Sequence, residues 1–150
     1  MNQYFALSGL CNALVTFLPA LYIYLKNRKN PLYRSFALFS FTVALWGGFY
    51  ALWQIQTSKS PALFFMRLEM VPCYFIPFSF LWFVLTLIEH PKRRGFLWFC
   101  LLVPAFFCLF SFSDLNVKDV VPRLYFQFWP APGILMHIFV IWECYPKITT

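Results

Sequence analysis

The chain has 150 residues, of which 61% are hydrophobic and 11% charged, with a mean hydropathy of +0.67 and a formal net charge of +7. A water-soluble domain carries about 25% charged residues, so this composition excludes an ordinary soluble enzyme or binding module. The positive charge does not point to nucleic acid, because the basic residues sit in short loops beside apolar runs.

Residues 5–25 contain no Asp, Glu, Lys, Arg or His, and neither do residues 35–53, 70–88 or 95–113. Nineteen helical residues rise about 28 Å, close to the hydrocarbon thickness of a bilayer. A fifth apolar stretch, Gly133–Tyr145, follows the Pro130 and Pro132 turn and stops at Pro146. The expected fold class is therefore all-α: a polytopic membrane helix bundle of about five transmembrane helices. Their expected extents are about 4–26, 33–54, 62–89, 95–113 and 131–146, forming a single transmembrane domain over 1–150. The lipid bilayer is the first partner this implies.

The first span does not read as a cleavable signal peptide. No Lys or Arg precedes it, and its positives, Lys26, Arg28 and Lys29, follow it. With Arg34 they make a strongly basic first loop. The second loop holds Lys59 and Arg67 against Glu69, the third (89–94) Lys92, Arg93 and Arg94, and the fourth (114–130) Lys118 and Arg123 against Asp114 and Asp119. Placing loops one and three and Lys147 in the cytoplasm puts eight of the twelve positives inside. Positive-inside counting thus selects N-terminus out and C-terminus in. Tyr4, Trp53 and Trp129 then fall at the outer interface and Tyr22, Tyr24, Tyr33 and Trp98 at the inner one.

Helices associate in lipid through small residues that let backbones approach. The first span places Ala6, Gly9, Ala13, Thr16 and Ala20 on one face, and the second places Ala37, Ser40, Ala44, Gly47 or Gly48, and Ala51 likewise. Gly9, Ala13, Ala44, Gly47 and Gly48 are the expected packing positions. These stripes are the expected helix–helix interfaces, with each other, with a second copy of the chain or with a partner membrane protein as the alternatives. Pro19, Pro72, Pro77 and Pro104 lie inside spans as kink positions.

Polar groups inside lipid are expensive, so each needs a reason. Asn12, Tyr50, Trp53, Gln54, Arg67 and Glu69 share the outer leaflet under this topology. Asn12, Tyr50, Trp53, Arg67 and Glu69 are the candidate ligand-binding residues of one outward-opening pocket. Structural pairing with another helix, or reaching to the headgroups, is the competing reading for Arg67 and Glu69. These two lie two residues apart and so face apart. His137 is expected to bond a neighbouring helix and Glu143 to sit at an interface. The five cysteines lie in or beside apolar runs and read as small apolar side chains.

Catalytic signatures are absent. There is no Gly-rich phosphate loop, nucleophile elbow or His-Glu-x-x-His metal motif. No catalytic residue, metal ligand or cofactor is expected, and no nucleic-acid partner.

Several residues stand in a recognisable order. Ala44-Leu45-Trp46 and Tyr50-Ala51-Leu52 occupy the second span. The third opens with Phe64-Phe65-Met66-Arg67-Leu68-Glu69, carries Pro77 and ends at the polar loop 89–94. Pro104, the longer loop 114–130 and Pro132-Gly133 follow. In this order the chain resembles the N-terminal seven-helix membrane region of bacterial sensor histidine kinases. The resemblance implies a bacterial inner-membrane, multi-pass receptor region of a two-component system. Such a region perceives an extracellular or membrane-borne signal, through a small or lipophilic ligand, for a cytoplasmic enzyme. The chain ends where that family's fifth helix finishes, so two helices and the output domain are not in it, and any kinase activity would reside in that absent domain. A small transporter or channel subunit and a membrane scaffold are the alternatives. Near-apolar central spans and the lack of an internal repeat disfavour transport.

Overall fold

The computed structural model describes residues 2–89, 94–123 and 126–144. Three long helices come first: α1 (Asn2–Lys26), α2 (Pro31–Gln54) and α3 (Lys59–Leu87). A shorter helix α4 (Arg94–Leu109) follows, then strands β1 (Val117–Arg123) and β2 (Phe126–Pro132), and a final helix α5 (Ile134–Cys144). The chain is a helical bundle with one hairpin. Lys92, Arg93, Pro146 and Lys147, on which the charge count partly rests, lie outside the described residues, as does the side chain of Glu143.

Helices α1, α2 and α3, of 25, 24 and 29 residues, are each long and apolar enough to cross a membrane. The chain is therefore a membrane protein. The first break is set by side chains that compete with the helix. Asn27 Oδ1 accepts from Lys29 N at 3.2 Å, and Asn30 caps α2 by accepting from Leu32 N at 2.9 Å. Pro31 starts α2, where its missing N–H costs nothing. Pro72 and Pro77 are accommodated inside α3, which continues through both.

The later spans differ from the expectation. The span 95–113 is helical only to Leu109, and residues 110–116 turn toward β1. The fifth helix begins at Ile134 and has 11 described residues, which rise about 16 Å, half the hydrocarbon thickness. The stretch from 126 to 132 is extended because Pro130 and Pro132 lack the N–H a helix interior needs. Its antiparallel pairing runs Val117↔Pro132, Val121↔Trp129 and Arg123↔Phe126, with irregularities between Val117 and Asp119 and between Val121 and Arg123. Val117 and Val120 turn inward onto the core.

α1 packs on α2 and α2 on α3, while α4 lies more sparsely on α3. The closest approach joins α1 to α2. A Cβ added at Gly9 would lie 2.9 Å from Gly47 O and 2.7 Å from Tyr50 Cδ1. One added at Gly47 would lie 3.0 Å from Gly9 O and 3.3 Å from Ala13 N. Ala44 is buried on the same face. Gly48 does not take part: a Cβ there meets nothing within 4 Å, because one step of 100° turns it away from α1. At the hairpin end, Met66, Met70 and Tyr74 of α3 form a core with Trp53, Phe107, Val117, Val120 and Phe139.

Gly47→Leu is expected to destabilise the chain by about 1–3 kcal/mol through overpacking, read as a lower melting temperature in detergent. Gly48→Leu should stay within about 0.5 kcal/mol of wild type.

Candidate functional site

The last turn of α2 places Tyr50, Trp53 and Gln54 on one face, spaced by three and four residues. The facing side of α3 presents Met66, Glu69 and Met70 at the same spacing. Trp53, Gln54 and Glu69 are 4%, 2% and 5% exposed, so an ionisable carboxyl and two polar side chains are sealed between the helices. Glu69 faces the Trp53 indole, and the Tyr50 hydroxyl faces Gln54 with Glu69 nearby. These approaches fall outside hydrogen-bond geometry. Trp53 Nε1 and both Gln54 Oε1 and Nε2 are buried without a partner. Each such group forfeits about 1–3 kcal/mol.

An aromatic lid covers the cluster. Trp53 meets Tyr50 edge-on at 5.5 Å between ring centroids, and Phe126 of β2 at 6.3 Å. Phe126 also packs against Phe5 of α1 at 4.7 Å and Trp129 at 4.9 Å. Trp53 thus lies inside the protein, not in a headgroup belt.

Arg67 and Asn12 do not join this cluster. Arg67 points a different way from Glu69, as two residues on a helix must. Its Nη1 donates to Phe112 O at 2.8 Å, and its Nη2 to Val117 O at 2.9 Å and Asp114 Oδ1 at 2.6 Å. Its two terminal nitrogens are spent on the segment between α4 and β1, while Nε is buried without a partner. Asn12 lies deeper, at the α1–α2 contact, where its Nδ2 would be 3.0 Å from a Cβ on Gly47. Of the five residues expected to line one outward pocket, the structure brings Tyr50, Trp53 and Glu69 together, with Gln54 beside them, and places Arg67 and Asn12 apart. Gln54 belongs to the same turn as Tyr50, and the i, i+4 spacing is the signal that groups them.

Other residues at this end are structural, and reading the sequence missed them. Tyr74 donates its hydroxyl hydrogen to Asn116 Oδ1, with both residues buried. Asn116 O accepts from Gly133 N at 2.7 Å, and Leu115 O from Leu135 N at 3.0 Å. A Cβ at Gly133 would lie 2.1 Å from Leu115 O, so glycine is required where β2 passes into α5. His137 Nδ1 contacts Gly133 O at 2.9 Å, within its own first turn and not on a neighbouring helix. Lys59 pairs with Asp119 at 2.6 Å. That hydrogen bond, with the Val120 N–H, holds the Asp119 carboxyl below the usual carboxylate range.

An apolar groove of about 520 Å³ lies between α2 and α3, along Leu45, Phe49, Leu68 and Phe75. Its two hydroxyls, Thr42 and Ser79, are bonded to Leu38 O and Ile76 O within their own helices. It offers no chemistry beyond apolar packing. No group of three or more His, Cys, Asp or Glu that could hold a metal is found among the described residues.

The sequence matches a family model described as the N-terminal 7TM region of histidine kinase, over residues 9–145. The chain belongs to that family. The match runs from the first helix, through the polar cluster and the hairpin, to the end of α5. The sensor region of a histidine kinase is its input part. No curated protein and no solved structure matches.

Arg67→Ala would leave Phe112 O and Val117 O without their donor. It is expected to cost about 2–4 kcal/mol and to raise hydrogen exchange across Val117–Val121. Asp114→Ala should change stability by less than about 1 kcal/mol, because Asp114 is the exposed partner.

Proposed function

We propose that residues 1–150 act as one sensory input domain of a two-component signalling protein in the bacterial inner membrane. The domain is non-catalytic. It perceives an extracellular or membrane-borne signal at the hairpin end, and its state is passed to a cytoplasmic enzyme. Family membership supports the sensory role. In the proposed orientation the N-terminus and the hairpin are outside, and the loop carrying Lys26, Arg28 and Lys29 is inside, following the bias of basic residues. Lys59–Asp119 and Trp53–Phe126 tie the hairpin to the α2–α3 turn, which supports α4 as a fourth crossing back to that side. α5 then re-enters as the start of a fifth.

One observation carries the choice of site: the Trp53 indole N–H and the Gln54 amide are buried without hydrogen-bond partners directly beneath the hairpin, beside the buried Glu69 carboxyl. A small polar or amphipathic ligand entering under Phe126 would meet an indole N–H, an amide and a carboxyl within aromatic walls. Binding that satisfies them in one hairpin position and not another biases a two-state element, which is what a sensor requires.

The test is signal-dependent phosphorylation of the cognate response regulator in cells carrying the gene. Glu69→Gln and Gln54→Leu are each expected to move the response threshold about tenfold, or about 1.4 kcal/mol, with unchanged membrane levels. Wild-type thresholds in both variants would remove the cluster from the signal path.

A further inference from the structure

The end of the bundle opposite the hairpin holds a second groove. It has a volume of about 480 Å³ and is lined by Phe17 and Tyr24 of α1, Arg34, Ala37 and Phe41 of α2, and Trp82 of α3. That size falls within the roughly 300–1,000 Å³ typical of small-molecule sites. Its floor is apolar, with Phe17 and Phe41 in ring contact at 6.3 Å. Leu21 and Tyr24 are exposed beside it, so it opens sideways toward lipid.

Its rim is basic. Arg34 lines the groove, and its guanidinium has no hydrogen-bond or ion-pair partner among the described residues. Arg28 sits over the Tyr24 ring, with Cζ 5.6 Å from the centroid, which places a second guanidinium at the same mouth. Lys26 and Lys29 flank it, and no Asp or Glu occurs between residues 1 and 68. Glu89, at the exposed end of α3, is the acidic residue at this end among the described residues.

We propose that this groove is a binding site for one anionic phospholipid, with an acyl chain along Phe17, Phe41 and Trp82 and the phosphate held by Arg34 and Arg28. The division of labour follows from chemistry. Any membrane-embedded apolar groove takes up lipid chains, but a planar guanidinium at the rim, unpaired within the protein, selects phosphate by its paired N–H donors. A basic pocket between helices near the headgroup level is a known physical basis for recognition of acidic lipids. This site is remote from the Glu69 cluster. It stands whether or not that cluster perceives a signal.

The test uses the full chain in nanodiscs of equimolar phosphatidylglycerol and phosphatidylcholine, with retained lipid read by native mass spectrometry. Wild type is expected to retain phosphatidylglycerol about thirty-fold over phosphatidylcholine, the ratio given by about 1 kcal/mol for each of Arg34 and Arg28. Arg34→Gln should lower the ratio to about five-fold, with helicity and melting temperature unchanged because Arg34 is exposed. Ala37→Trp, which fills the groove and keeps the charges, should lower retention of both lipids. Lys26→Gln with Lys29→Gln should leave the preference standing. Equal retention by wild type, an unchanged ratio in Arg34→Gln, or loss of preference in the double lysine variant as complete as in Arg34→Gln would overturn the proposal. The last result would assign the effect to diffuse surface charge.

Discussion

Backbone that leaves the helix near a bilayer must find its hydrogen-bond partners inside the protein, because hydrocarbon supplies none. The segment between α4 and β1 meets that demand through its own turn hydrogen bonds and through Arg67, which ties it to α3. Arg67 stands eight residues, or about 12 Å, along α3 from Lys59 and donates to two carbonyls of this segment and to Asp114. Asn116 completes the arrangement by accepting from Tyr74 and from Gly133 N. Through these bonds α3 fixes where α4 stops, where the hairpin starts and where α5 leaves. A lysine could not do the same, since a single ammonium lacks the fixed fork that reaches separate acceptors.

Two faces of α3 are treated differently. On the Arg67 side, both terminal guanidinium nitrogens bond backbone carbonyls or Asp114, and only Nε of that group is buried without a partner. On the Glu69 side, the Trp53 indole N–H and both ends of the Gln54 amide are buried without partners beside the Glu69 carboxyl. An apolar core would be more stable than such a half-satisfied cluster, and that cost is the ground for placing the proposed site here. The covering group, Phe126, belongs to β2, which reaches α1 and α2 through ring contacts, whereas its partner β1 is anchored by buried Val117 and Val120 and by the Arg67 bond to Val117 O.

Much of the bundle was legible in the sequence. Charge-free runs identified α1, α2 and α3, and the small-residue spacing selected Gly9 and Gly47, which the structure brings together. Gly47 and Gly48 could not be separated from sequence, since either fits a spacing of three or four and only the facing helix decides. The end of α4 and the start of α5 differ from the expectation because hydropathy does not distinguish an apolar helix from apolar turn and strand. Phe110 and Phe112 continue the greasy pattern past the last helical residue. The hairpin was hidden by Pro122, Pro130 and Pro132 and by two register irregularities that break strict alternation. Arg67 and Glu69 were correctly seen to face apart, but the partner of Arg67 is backbone, which carries no sequence signature. Tyr74 and Asn116, 42 residues apart, were invisible for the same reason: each is an unremarkable residue until the fold joins them.

The membrane sidedness of the hairpin decides whether the buried cluster can meet an external signal. Single cysteines at Gln127 on β2 and Lys29 in the first loop, in a background with the native cysteines replaced, would be exposed to a membrane-impermeant maleimide in intact cells. Labelling of Gln127→Cys in intact cells, with Lys29→Cys labelled only after permeabilisation, is the expected result. Labelling of Lys29→Cys from outside, with Gln127→Cys protected until the membrane is breached, would contradict it.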